Sequence, residues 1–186
     1  VRAISFTGGT ATGARVAVTA APHFKKVSLE LGGKNPTLVF ADCDLEKTLD
    51  GVVRAGFANQ GQICLCGSRI LVEESLYESF VEGLVKRVAA LKVGDPGDPE
   101  TRIGSLTSLA HRDKVESYVA LAQEEGGVIR CGGKRPQLSA PFDAGAFLEP
   151  TVVTGLGQEC RTVQEEIFGP VVTVQSFKDD AEALAL

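Results

Sequence analysis

The chain has 186 residues, of which 44% are hydrophobic and 23% charged, with a formal net charge of −5. This length and balance describe a globular chain with enough apolar content for a core, and they argue against intrinsic disorder. The acidic, interspersed charge offers no basic surface for nucleic acid or an anionic membrane, and no run approaches the roughly 18 apolar residues that span a bilayer.

"AISF" at residues 3–6 reads as a short buried strand, and "TGGTATG" turns it into a helix ending near Ala21. "KKVSLEL" alternates polar and apolar side chains as a strand does, enters "GGKNP", and is followed by a further strand at "TLVF". Asp42 or Asp44 caps the next helix, whose apolar positions Leu45, Leu49, Val52, Val53 and Phe57 keep a helical period. A strand over Arg69–Val72 follows, then a helix with Ser75 as its cap and a buried stripe of Leu76, Phe80, Leu84, Val88 and Leu91. "GDPGDPETRIG" is a loop. A helix from about Ser108 to Glu124 stops at a glycine pair, "VIRC" and "VVTVQSF" are strands, and "DDAEALAL" begins a last helix. Strands alternating with helices predict an open α/β sheet with flanking helices.

The stretch "FANQGQICLCGSR", residues 57–69, places Cys64 and Cys66 two apart just beyond a helix end. Burial is common for free thiols, Cys-x-Cys is a weak redox spacing, and a metal site needs more donors than these, with His23 and His111 far along the chain. A nucleophile is the fourth reading, because a glycine-flanked loop aims backbone N–H groups at an oxyanion. Glu30 in "LELGGK" sits at an apolar strand end, where desolvation would raise its pKa and suit it as a base toward water; an ordinary exposed glutamate is the alternative. "EEIFGP", residues 165–170, sets acids beside a phenylalanine, a pattern for a sugar hydroxyl and a planar ring, or simply a turn before a strand. The turn "FTGGTATG" opens a helix whose N–H groups suit phosphate, although it lacks the six-residue dinucleotide fingerprint. Five cysteines (Cys43, Cys64, Cys66, Cys131, Cys160) without framework spacing favour reduced thiols in a cytoplasmic setting. With Val1 first and no methionine anywhere, the chain reads as a piece of something longer.

Taken together and in this order, "FTGGTATG", "LELGGKNP", "FANQGQICLCGSR" and "EEIFGP" resemble the signature segments of the NAD(P)-dependent aldehyde dehydrogenase superfamily over essentially the whole chain. The resemblance implies that Cys64 attacks an aldehyde, that hydride passes to nicotinamide, and that Glu30 is the base for hydrolysis of the thioester. It implies that Glu166 holds the nicotinamide ribose, Phe168 lies beside the ring, the Leu31 backbone lies near the carboxamide, and Gly8 and Gly9 face the pyrophosphate. Gly9 stands where many relatives carry serine, and Cys66 has no catalytic counterpart. The same comparison implies that residues 1–30 are the end of a Rossmann-like NAD-binding domain and 31–186 most of the catalytic domain. NAD is the implied cofactor, with NADP left open, and a small aldehyde the substrate, most similar to the muconate semialdehyde branch. The parent is implied to be a homo-oligomer, and the isolated chain is expected to show little dehydrogenase activity. A nicotinamide-free thiol acyl-transfer enzyme and a non-catalytic truncated subunit are the alternatives.

Overall fold

The computed structural model describes all residues 1–186, which divide into two compact units, Val1–Gly33 and Lys34–Leu186. In the first unit, strand β1 (Ala3–Gly8) and strand β2 (Lys26–Leu31) pair in parallel and are connected through helix α1 (Thr10–Ala20). Both strands alternate between exposed and half-buried side chains along their whole length, as a sheet covered on one face does. β2 continues through Leu31, and the unit ends at Gly33.

The second unit is built on a five-stranded sheet. Its strands are β3 (Pro36–Val39), β4 (Arg69–Glu73), β5 (Val128–Cys131), β6 (Thr151–Thr154) and β7 (Val171–Phe177), arranged in the order β3-β4-β7-β6-β5. All neighbours are parallel except β5, which runs antiparallel to β6 at one edge. Alternation along the central strands feeds two cores. Val152, Val172, Val174, Ile70 and Val72 pack with helices α2 (Leu45–Phe57) and α3 (Tyr77–Ala89). Val153 and Val171, one step out of phase, pack with helices α4 (Leu109–Glu124) and α5 (Arg161–Gln164). Leu71 faces Phe177 and Ala183 of the last helix, α6 (Asp180–Ala185). Covering both faces with helices makes the middle strands apolar on both sides, and this is the open α/β sheet expected from the alternation of elements.

Local signals explain most ends. Asp44, not Asp42, caps α2 by accepting from the Lys47 amide, and Ser108 caps α4 by accepting from the His111 amide at 3.1 Å. Ser75 does not cap α3. It lies in a short 3-10 turn over Glu74–Leu76 and donates to the Glu73 carboxylate, and α3 starts at Tyr77, one residue later than a Ser75 cap implies. β6 was not anticipated. "TVVT" is only four residues long and begins directly after Pro150, so it carries no alternation that would separate it from a loop, yet all four residues are buried. α5, a single turn, was also unmarked. No helix is long and apolar enough to cross a membrane.

Candidate active site

The nucleophile candidate rests on a backbone turn that is fixed from below. After α2 the chain passes through Asn59, Gln60 and Gly61 with φ of 49°, 57° and 70°, three consecutive left-handed residues. For the two non-glycines such backbone costs on the order of 1 kcal/mol or more each, so surrounding contacts must hold it. The Gln62 amide donates to the Asn59 carbonyl, the Asn59 side chain donates to the Gln62 carbonyl, and the Gln62 side-chain oxygen accepts from the Thr107 amide at 3.0 Å. With its side-chain oxygen turned to the Gly104 amide, Gln60 also bridges to the Asn59 carbonyl.

The next turn carries the cysteines. The Cys66 amide donates to the Ile63 carbonyl at 3.0 Å, closing a tight turn with Cys64 and Leu65 at its tip. Asn35 clamps it: its side-chain nitrogen donates to the Cys64 carbonyl at 2.6 Å and the Cys66 carbonyl at 3.3 Å. Cys64 is exposed and Cys66 buried. Burial pushes the Cys66 thiol pKa up, away from the thiolate a nucleophile needs. Thus one turn divides the two cysteines, aiming one outward and turning the other into the fold.

The end of the segment 165–170 lies against the Asn59–Gly61 bend that precedes the cysteine turn. Gly61 approaches Gly169 so closely that a Cβ on Gly61 would collide with the Gly169 carbonyl, and its φ is positive as well. Gly169 in turn leaves room for Val115 of α4, whose Cγ2 stands 2.6 Å from where a Cβ would be. Phe168 has a φ of 62°, unusual for an aromatic residue. Glu165 is engaged by Arg161 through two bonds and by the Tyr118 hydroxyl at 2.6 Å, and these hold its carboxyl down at about 2. Glu166 takes no part in those ion pairs. The Lys34 ammonium group is buried with no hydrogen-bond partner, and its pKa is pushed down to about 8 by burial and by Arg69, against the pull of Glu166.

In the first unit, Gly8 pairs with Leu31 and Thr7 with Glu30, which gathers Gly8, Gly9, Glu30 and Leu31 at the carboxyl ends of two parallel strands. That end of an open α/β unit is where ligands bind. α1 is preceded by Gly9, which provides no side-chain cap, so the Thr10 and Ala11 amides are left for an anion while the Thr12 amide bonds the Gly9 carbonyl; nothing lies within 4 Å of a Cβ built at Gly9, so serine would fit. Glu30 is exposed on β2, so the burial expected at this strand end is absent within its own unit. The residues that shape the site but were not singled out from sequence are Asn35, Gln60, Gln62, Thr107, Tyr118 and His111 as a bonding partner. Asn35 was within reach of a sequence reading, since an asparagine before proline at a strand entry has a free side chain to spend.

Comparison with known proteins supplies the remaining context. The aldehyde dehydrogenase family model matches residues 1–186. A 2-aminomuconic 6-semialdehyde dehydrogenase from Pseudomonas sp is 47% identical over 99% of this chain, and the mouse (Mus musculus) 2-aminomuconic semialdehyde dehydrogenase is 49% identical over 97%. The chain spans 38% of the length of each of these curated relatives. A crystal structure of Staphylococcus aureus betaine aldehyde dehydrogenase in complex with NAD+ superposes with a TM-score of 0.97 at 45% identity, covering 100% of this chain and 37% of that one. With the whole chain matched by the family model and the fold reproduced at that identity, this chain belongs to the aldehyde dehydrogenase family.

Proposed function

We propose that this chain carries the reacting thiol of an NAD-dependent oxidation of an aldehyde to a carboxylic acid, with muconate-type semialdehydes as the substrate class. The observation that carries the reading is the exposed Cys64 on a turn clamped by Asn35, directly after a bend at Gly61 that packs against Gly169, the residue following Phe168. In this reading the Cys64 thiolate forms a bond to the aldehyde carbon, and the carbonyl oxygen takes the negative charge beside the backbone N–H groups of the turn. NAD, when bound, accepts the hydride that the tetrahedral adduct loses. A thioester to Cys64 remains, and water attacks it while passing a proton to the Glu30 carboxylate; the acid leaves and the thiol is restored. Glu166 holds ribose hydroxyls and Phe168 packs beside the nicotinamide, while Gly8, Gly9 and the uncapped start of α1 face the pyrophosphate and the Leu31 backbone the carboxamide. In this assignment residues 1–30 belong to a nucleotide-binding domain and 31–186 to the catalytic domain.

The aldehyde class rests on the muconic semialdehyde dehydrogenases among the similar proteins, and NAD on the Staphylococcus aureus complex. Five free thiols fit a reducing, cytoplasmic compartment. The test is NAD reduction with 2-aminomuconic semialdehyde and with betaine aldehyde in wild type, Cys64→Ala and Cys66→Ala of a full-length enzyme carrying this chain, since little turnover is expected of these 186 residues alone. Turnover that survives Cys64→Ala contradicts the assignment of the nucleophile, and turnover with betaine aldehyde alone contradicts the substrate class.

A further inference from the structure

One side of α4 carries the half-buried His111 and Tyr118 and the exposed Lys114, spaced so that all three lie along it. Each reaches a different point of the same short loop. The His111 Nε2 meets the Phe168 carbonyl at 2.6 Å, which requires that nitrogen to carry the proton. The Lys114 ammonium donates to the Glu166 carbonyl at 3.4 Å and lies 5.8 Å from the centre of the Tyr118 ring. The Tyr118 hydroxyl donates to the Glu165 carboxylate at 2.6 Å, and Arg161 holds that carboxylate from the other side. The His111 and Phe168 rings also meet edge to face, with centroids 6.2 Å apart. Between the polar contacts, Val115 fills the space that a side chain on Gly169 would need. The Ser108 cap fixes the first turn of α4 at His111 itself.

A left-handed aromatic residue such as Phe168 persists only where its surroundings determine it, and nearly all the side chains that bond to this loop come from α4 and α5. We propose that His111, Lys114 and Tyr118 are positioning residues that hold residues 165–168 in the backbone shape presenting the Glu166 carboxylate and the Phe168 ring to a bound nicotinamide riboside. The proposal rests on the function proposed above. Its mechanism is preorganisation: the loop is ordered before the cofactor arrives, so binding does not have to order it. Glu165 and Glu166 then divide the work, the first tied into the fold and the second left for the ligand.

The test compares His111→Ala, His111→Gln and Tyr118→Phe with wild type in three measurements: hydrogen exchange of the amides at Ile167–Gly169, calorimetric affinity for NAD alone, and ester hydrolysis at Cys64 without cofactor. In His111→Ala, exchange of the loop amides rises and NAD binds about tenfold more weakly, while ester hydrolysis stays at the wild-type level. His111→Gln, which keeps a donor, restores both, and Tyr118→Phe shows a smaller change in the same direction. Unchanged exchange of Val115 and Val119 amides in α4 certifies that the helix itself is intact. Unaltered loop exchange in both His111→Ala and Tyr118→Phe overturns the proposal, as does a loosened loop that binds NAD with wild-type affinity. A wild-type protein that does not bind NAD overturns the functional reading itself, a result visible before any variant is made.

Discussion

The bend at Asn59–Gly61 that leads into the cysteine turn and the Glu165–Phe168 loop both contain non-glycine residues in left-handed backbone, and the two segments are held by different forces. The turn is held by neutral bonds: amides donate to carbonyls, and one asparagine clamps two of them. The loop is held by charge and by a helix, through Arg161, Tyr118, Lys114 and His111. Neutral clamps fix the shape of the turn and leave its exposed tip, Cys64, free of an ion-pair partner. A loop that must offer one carboxylate to a ligand gains from having the adjacent carboxylate neutralised.

The largest expected effect separates the two cysteines. Cys64→Ala should abolish cofactor-free ester hydrolysis, as loss of a covalent nucleophile does, while Cys66→Ala should stay within about twofold and change only thermal stability. Steady-state rates with purified variants decide it. Next comes the contact between the bend before the cysteine turn and the glycine after the loop: Gly61→Ala puts a Cβ into the Gly169 carbonyl at a φ of +70°, so a loss of about 3 kcal/mol or more in urea unfolding is expected.

Lys34 feels both segments. Its folded pKa of about 8 lies below the ordinary lysine value of 10.5, so between these values the unfolded chain binds more protons and wild-type stability rises with pH. Lys34→Met should therefore stabilise the protein by about 2 kcal/mol at neutral pH, and that advantage should shrink as pH rises from 8 toward 10.5. Melting temperatures across that range are the measurement. Asn35→Ala removes the clamp and should cost about 1–2 kcal/mol, with faster exchange at Leu65 and Cys66. The smallest effect belongs to the exposed charge pair. The depressed Glu165 carboxyl contributes stability above the ordinary carboxylate range, and this is lost as pH falls toward about 2. A Glu165→Gln variant should melt below wild type at pH 6 and converge with it in acid.

Much of the architecture was legible because it is local. Asp44 and Ser108 announce their helices, and the periodic stripes of α2 and α3 are the ones that are buried. β6 was illegible because a short strand buried on both faces has no alternation to reveal it, and Ser75 misled because a cap signal does not register an intervening 3-10 turn. In the site, Cys64 and Glu166 stood out through motif resemblance. The bonds of Asn35, His111 and Tyr118 join residues 29, 57 and 47 positions apart, a separation that no local pattern encodes.

The central claim is that a single turn makes Cys64 the reactive thiol and Cys66 an inert one. Peptide-level mass spectrometry of the native protein during limited iodoacetamide treatment measures this directly. Cys64 should be carboxamidomethylated first, with Cys66 protected until the protein unfolds. Modification of Cys66 at a rate equal to or faster than that of Cys64 would contradict the account.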